Sequence, residues 1–269
     1  MTPEDTQAAA EMLLAAEASG AQCGLISLAY PDMTLDHAYA VQAAFVALKQ
    51  ETGLQQIGWK IGLTSRAMQM ALNITTPDSG VLLSDMLFQT GETVPAGRFI
   101  EPRIEAEIAF IMARDLSGGD VTRADVIAAT EAVAPSLEIL DTRILRKDPA
   151  SGEPRIIYDT VSDNAANAGV VLGVERHALG EAGADALRTV GAIVKRDGVV
   201  EETGLGAGVL DDPVSGIVWL VQRLALYGQG LSAGDIVLSG SFIRPIEAPP
   251  GSQFEADFGA FGRVDLAFD

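Results

Sequence analysis

Cysteine is nearly absent: Cys23 is the single one in 269 residues, which excludes an internal disulfide and any zinc site built on thiolates. Histidine is almost as scarce, with only His37 and His177 in the chain. With no G-x-S-x-G elbow either, a serine or cysteine nucleophile system has little to be built from. Basic charge is also short. Lys and Arg number 18 against 37 Asp and Glu, for a formal net charge of -19. Such a field repels phosphate backbones and anionic lipid, so nucleic acid and membrane surfaces are poor partners. An anionic substrate is not barred, but it requires a local cation, either a metal or an Arg/Lys cluster. No apolar run approaches the roughly 18 residues of a membrane span. The acidic opening MTPEDTQ lacks the basic region of an export signal, so cytoplasm is the expected location. The glycine-rich GLGAG (204–208) fits neither phosphate-loop nor dinucleotide spacing.

What is present reads as an enzyme-sized globular chain, 48% hydrophobic and 20% charged. The organisation expected is a helical amino-terminal segment over 1–56 and a β-rich domain over 57–269. Thr2 before Pro3 starts a capped helix, and TLDHAYAVQAAFVALKQETG repeats Ala38, Val41, Phe45 and Leu48 at helical spacing between a Thr34 cap and Gly53. From residue 57 short apolar runs broken by glycine favour strands. The spacing predicts a second helix over 122–134 ended by Pro135, a strand over SLEILDTRI, and a hairpin at Asp197-Gly198. A further helix is expected after Asp212-Pro213, and two closing strands around 259–262. Ser151-Gly152-Glu153-Pro154 marks an exposed loop.

The chemistry rests on carboxylates. In RIEAEIAF (103–110), Glu105 and Glu107 stand two apart among Ile104, Ala106, Ile108, Ala109 and Phe110. The strand period puts both carboxylates on one face and Ile104, Ala106 and Ile108 on the other. Glu138, in the apolar run PSLEIL, offers a third. Three carboxylates without imidazole or thiolate suit Mg²⁺ or Mn²⁺ and leave positions open for water and a chelating substrate. The competing reading is a solvated strand face, and spacing alone does not separate the two. Lys60, in GWKIGLTS, is flanked by glycines that permit close backbone approach. Desolvated, it moves protons near neutral pH or fixes a carboxylate; otherwise its stem covers a sheet edge with its head in water. Asp78 sits in a turn-forming Pro-Asp-Ser-Gly, where capping is the structural alternative.

Six segments occur in order along the chain: GWKIGLTS, PDSGVLLSDM, EPRIEAEIAF, PSLEILDTR, DTVSDNAANAGVVLG and GDIVLSGSFIRPI. Together they resemble the hydratase/decarboxylase branch of the fumarylacetoacetate hydrolase superfamily, from about residue 25 to the end. Within that branch RKDPASGEPR (146–155), DNAANAG, VEETGLGAGVL and GSFIRP are most similar to the hydratases of homoprotocatechuate (4-hydroxyphenylacetate) breakdown, which take the seven-carbon diacid 2-oxohept-4-ene-1,7-dioate. Pentadienoate hydratases and 4-oxalocrotonate decarboxylases share the metal motif but differ more in these segments. The resemblance implies an α+β fold with a rolled mixed β-sheet and flanking helices, a Mg²⁺-dependent lyase, and a homo-oligomer. It implies Glu105, Glu107 and Glu138 as metal ligands, Lys60 and Asp78 as catalytic groups, and Leu83 and Ser162 as pocket residues. The distal carboxylate of a 2-oxo dicarboxylate needs a cation. Arg244, after a strand and before the turn-fixing Pro245, is ranked first, with Arg143 and Arg146 as alternatives. A non-catalytic oligomeric scaffold is the reading from another class; the intact carboxylate set with Lys60 stands against it.

Overall fold

A computed structural model describes residues 1–71 and 74–269. The amino-terminal segment is helical: α1 (Pro3–Ser19), α2 (Ile26–Ala29) and α3 (Leu35–Glu51). Thr2 and Asp5 exchange capping hydrogen bonds at the start of α1. Thr34 does the same with His37 at α3, so that histidine is used as a cap. Leu13, Ile26, Val41 and Phe45 pack into an apolar cluster that takes in Ile144 and Val161 from the later chain. Gln42 of α3 reaches out of the helix and donates from Nε2 to the carbonyls of Ser79 and Val161 at 2.8 and 3.0 Å.

The rest of the chain supplies β1 (Gln56–Gly62), α4 (Arg66–Ala71), β2 (Asp78–Leu83), β3 (Leu87–Gln89), β4 (Thr93–Val94), β5 (Arg103–Met112), α5 (Arg123–Ala129) and β6 (Thr130–Leu140). There follow α6 (Ile157–Ser162), β7 (Asn167–Leu172), α7 (Glu181–Ala186), β8 (Gly191–Arg196), β9 (Val199–Leu205), α8 (Pro213–Ala225), β10 (Ile236–Leu238), β11 (Ile246–Glu247), β12 (Gln253–Asp257) and β13 (Arg263–Phe268). Two mixed sheets result. The larger has the order β2-β1-β10-β5-β6-β7-β3, with β11 added against β5; the smaller has the order β4-β13-β12-β8-β9. Both agree with the expected α+β class. No helix among the described residues is long and apolar enough to cross a membrane.

The larger sheet rolls without closing. Its edge strand β2 is held by side chains where a ladder would otherwise stand: Asn164 accepts from Val81 N–H at 2.7 Å and donates to Val81 O at 2.9 Å, and Asn167 adds a second bond to that carbonyl. Asn164, Ala165 and Ala166 all take left-handed backbone angles, with φ of 51, 53 and 59°. Such angles cost L-residues about 1–2 kcal/mol each. The tie to β2, and Arg143, which donates to the Asp163 and Asn167 carbonyls at 3.1 Å, hold that turn in place.

One expectation is corrected. The helix predicted over 122–134 ends at Ala129, and Thr130–Leu140 is a strand paired with β5, in continuous register from Ala132 and with an irregularity at Glu131. Pro135 lies inside that strand, one residue before the pairing with β7 begins at Ser136↔Leu172. Its missing N–H therefore strands no ladder partner on that side. Sheet burial overrides the local helical signal here. The Asp197-Gly198 turn behaves as expected, with φ of 53 and 79° joining β8 to β9.

Candidate metal centre

Strand register assembles the site. On β5 the odd-numbered residues share one face, while Ile104, Ala106 and Ile108 on the other face are fully buried in the main apolar core. The antiparallel pairing of β5 with β6 sets Glu105 directly opposite Glu138 and Glu107 opposite Ser136. One carboxylate oxygen from each of Glu105, Glu107 and Glu138 lies within 4.8 Å of the others.

These carboxylates are poorly satisfied by the protein. Glu107 and Glu138 are wholly buried. Glu107 Oε2 accepts from the Gly240 N–H at 2.8 Å, but its Oε1 has no hydrogen-bond partner. Lys60 Nζ stands 3.2 Å from Glu138 Oε1, an ion pair whose angles fall short of a directed hydrogen bond, so neither Glu138 oxygen has one. Burial first, then repulsion from Glu138, pushes the Glu105 carboxyl up to about 8 and Glu107 well above the ordinary carboxylate range; burial raises Glu138 too. Orphaned, crowded, oxygen-only donors fit a hard divalent cation, and the set is right for Mg²⁺ or Mn²⁺.

Two further groups converge on the cluster. Lys60 is 3% exposed, so a head in water is ruled out by its position. Burial works against its charge, but Glu138, Asp78, Glu105 and Glu107 outweigh it and hold the ammonium above its usual range. The lowered basicity envisaged for a desolvated lysine is therefore not found, because the carboxylate field dominates. Asp78 opens β2 opposite Gly62 and is likewise buried, with no partner for Oδ1 among the described residues. It is no exposed cap. Burial raises its carboxyl, against the Lys60 ammonium and the Gly62 amide. Gly62 is needed between them: a methyl there would press into the Asp78 carboxylate and stand 3.2 Å from Lys60 Nζ. Gly240 is equally constrained, since φ is 116° and an added carbon would strike the Thr64 side chain.

The other expected residues fall in different places. Ser162, the last residue of α6, is buried with a hydroxyl that has no partner. Leu83 ends β2 in the apolar core, five residues from Asp78 and on the opposite strand face, roughly 17 Å along at 3.3 Å per residue. Arg244 has a side chain 75% exposed and paired with Glu202. Arg143 is buried and paired with Asp163 and Glu17. Arg146 pairs with Glu101 and Glu247. A residue that sequence reasoning passed over is Arg103, which shares the face of Glu105 and Glu107. The period of two that joined the glutamates extends to it.

No protein-family model matches the chain. It is 47% identical over 259 residues, 96% of each chain, to the 2-oxo-hept-4-ene-1,7-dioate hydratase of Escherichia coli. Among solved structures it is similar to the 4-oxalocrotonate decarboxylase from Pseudomonas putida G7 complexed with magnesium and adipate, with a TM-score of 0.92 and 30% identity over 100% of this chain and 99% of that one. The fumarylpyruvate hydrolase of Pseudomonas aeruginosa in complex with Mn²⁺ and pyruvate shares the fold at 12% identity, with a TM-score of 0.58 over 78% of this chain and 88% of that one.

Proposed function

The chain belongs to the hydratase/decarboxylase branch of the fumarylacetoacetate hydrolase superfamily, and from that premise we propose that it is a Mg²⁺-dependent hydro-lyase adding water to 2-oxohept-4-ene-1,7-dioate. The product is 4-hydroxy-2-oxoheptanedioate. The observation that carries this reading is the identity of 47% to a hydratase of that substrate, over 96% of both chains.

Glu105, Glu107 and Glu138 would hold the ion. When bound it supplies a Lewis acid for the C1 carboxylate and C2 oxygen, against which negative charge at that oxygen develops. The chain's own residues carry the protons. Hydration needs a proton taken from C3 and one delivered to C5, which moves the double bond to C3–C4; water oxygen then joins C4 and a proton returns to C3. Asp78 suits the transfers: it is buried, its Oδ1 is free, and its raised carboxyl exchanges a proton more readily than an ordinary aspartate. Lys60 suits a fixed positive donor that orients Glu138 and the attacking water, since four carboxylates keep it charged. The unpartnered Ser162 hydroxyl is a further donor for the pocket, and Leu83 backs the strand that presents Asp78. Arg244 is better accounted for by its surface pair with Glu202.

In this reading residues 1–56 are a helical cover on a catalytic domain of 57–269, joined to it through an apolar cluster in which Leu13 and Phe45 meet Ile144 and Val161. A homo-oligomer in the cytoplasm completes the proposal.

The test is direct. Purified protein is given the seven-carbon and five-carbon dienoates with and without Mg²⁺, and loss of the ultraviolet chromophore is followed. Mg²⁺-dependent loss with the seven-carbon diacid and a 4-hydroxy product supports the assignment; no loss with either acid overturns it. A decarboxylase is the second reading, because the similarity to the P. putida decarboxylase covers the whole chain. Release of CO₂ from a 2-oxo-3-enedioate would favour it.

A further inference from the structure

An acidic chain with net charge -19 keeps one arginine without an ion pair on the strand face of its carboxylate cluster, and a second on the neighbouring 146–155 turn. Arg103 stands on β5 two residues before Glu105, on the same face. It is half-buried, its Nε is shielded from solvent without a hydrogen-bond partner, and among the described residues it makes no ion pair. The second is Arg155. It too is half-buried and, among the described residues, makes no ion pair; its one side-chain hydrogen bond runs from Nη1 to the Ile144 carbonyl at 3.2 Å.

The segment 146–155 brings these groups together. It folds back on itself through a Lys147↔Pro154 bridge and a 2.9 Å bond from Arg155 N–H to Arg146 O, with Asp148 capping the tip at Ser151. Arg146 fixes it to the sheet by pairing with Glu247 at 2.8 Å and Glu101 at 3.4 Å. Glu247 is the direct cross-strand neighbour of Arg103. Glu247 and Glu101 are therefore already engaged by Arg146, and Glu105, the remaining acid beside Arg103, belongs to the glutamate cluster; Arg155 is hydrogen-bonded to the Arg146 backbone and lies within electrostatic reach of Arg103. Like charges left to repel one another at a half-buried site are costly unless an anion joins them.

We propose that Arg103 and Arg155 form the subsite for the distal carboxylate of a dicarboxylate substrate whose 2-oxo acid end lies at Glu105, Glu107 and Glu138. This rests on the hydratase reading above. Along the strand, Arg103 is displaced from Glu105 by two residues, roughly 6.6 Å. That offset suits a chain with carboxylates at both ends. The Lys60 head is in contact with Glu138, which stands opposite Glu105 and so one strand period from Arg103. Guanidinium forks match carboxylate oxygens two by two, which makes the subsite selective for a carboxylate over a methyl end.

Calorimetry on the Mg²⁺-saturated protein tests this with two acids that are not turned over, 2-oxoheptanedioate and 2-oxopentanoate. Arg103→Gln and Arg155→Gln should each weaken binding of the diacid by about ten- to a hundredfold, the span of a charge-assisted hydrogen bond. Binding of the five-carbon acid should stay within about twofold. Arg103→Lys, which keeps the charge and loses the fork, should fall between. Arg155 lies on the 146–155 turn outside the main core, so its variant reports even if Arg103→Gln fails to fold. Equal losses on both acids, or no loss with either variant, overturn the subsite while leaving the hydratase reading intact. Failure of the unaltered protein to bind either acid with Mg²⁺ would overturn that reading, and the subsite with it.

Discussion

Glu107→Gln should abolish the hold on the cation while leaving the metal-free protein about as stable. The side chain is wholly buried, and its two oxygens have different surroundings: Oε2 accepts from the Gly240 amide at 2.8 Å and Oε1 accepts from nothing. Ligand oxygens of the three glutamates lie within 4.8 Å of one another. Two full charges at that spacing would repel by about 3–4 kcal/mol at an effective dielectric constant near 20, and burial with the Glu138 charge accordingly raises the metal-free Glu107 carboxyl and favours its neutral form. Glutamine, neutral like the protonated carboxyl, keeps a carbonyl for Gly240 and turns an NH₂ toward the other carboxylates. The metal-free unfolding midpoint should therefore stay within roughly 2–4 °C of the unaltered protein's, a difference of no more than about 1 kcal/mol. Mg²⁺ at a hundredfold excess over its Kd should stabilise the unaltered protein by about 2.7 kcal/mol and leave the variant unmoved. Thermal unfolding with and without Mg²⁺ measures both effects. Equal Mg²⁺ stabilisation of the two proteins would place the ion elsewhere, and a metal-free variant several degrees less stable would show that the carboxylate serves the fold.

Lys60→Met should remove turnover but retain Mg²⁺ binding, since methionine approximates the stem and lacks the ammonium that faces Glu138; a kcat near that of the unaltered enzyme would limit Lys60 to packing. Asn164→Ala should lower stability by about 2–4 kcal/mol in urea unfolding, because it orphans the buried Val81 N–H and puts alanine at a φ of 51°; a loss under 1 kcal/mol would mean that Asn167 alone holds β2. Glu17 should confer acid-sensitive stability. Burial raises its carboxyl, but Arg143 and Lys49 outweigh that and set it below the ordinary 4.5. A group depressed in the folded state binds more protons when unfolded, so its stabilisation is full above 4.5 and fades as pH falls through the folded value. Glu17→Gln should therefore be less stable at neutral pH and converge with the unaltered protein in acid; parallel curves down to pH about 2.5 would refute the pairing.

Much of this architecture is legible in the sequence because it depends on local periodicity. The Thr2 and Thr34 caps, the Asp197-Gly198 turn and the β5 alternation each follow from a few adjacent residues. The 130–134 stretch does not, because its strand state is set by pairing with β5. Asp78 reads as a turn residue for the same reason: its burial comes from Gly62 across the sheet, a partner sixteen positions earlier that no local pattern announces. The protonation of Lys60 is still less local, since it depends on carboxylates from three other strands.

The arginines show the limit most clearly. Arg244 drew attention through its neighbours in sequence, a strand before it and Pro245 after it, yet its side chain meets Glu202 at the surface. Arg103 lies in the very segment that posed the question of two glutamates in an apolar strand. Its position on the glutamate face follows from the same period of two. What the sequence cannot supply is which of its acidic neighbours are already taken. That depends on Arg146, forty-three residues later, turning its guanidinium to Glu101 and Glu247. An unpaired charge is a property of the whole arrangement, and what sets Arg103 apart is that its Nε is shielded from solvent without a hydrogen-bond partner among the described residues. If the proposed subsite holds, Arg103, Glu105 and Glu107 along one strand face would give a 2-oxo diacid a cation to meet at each end: the guanidinium itself and the ion that the glutamates would hold.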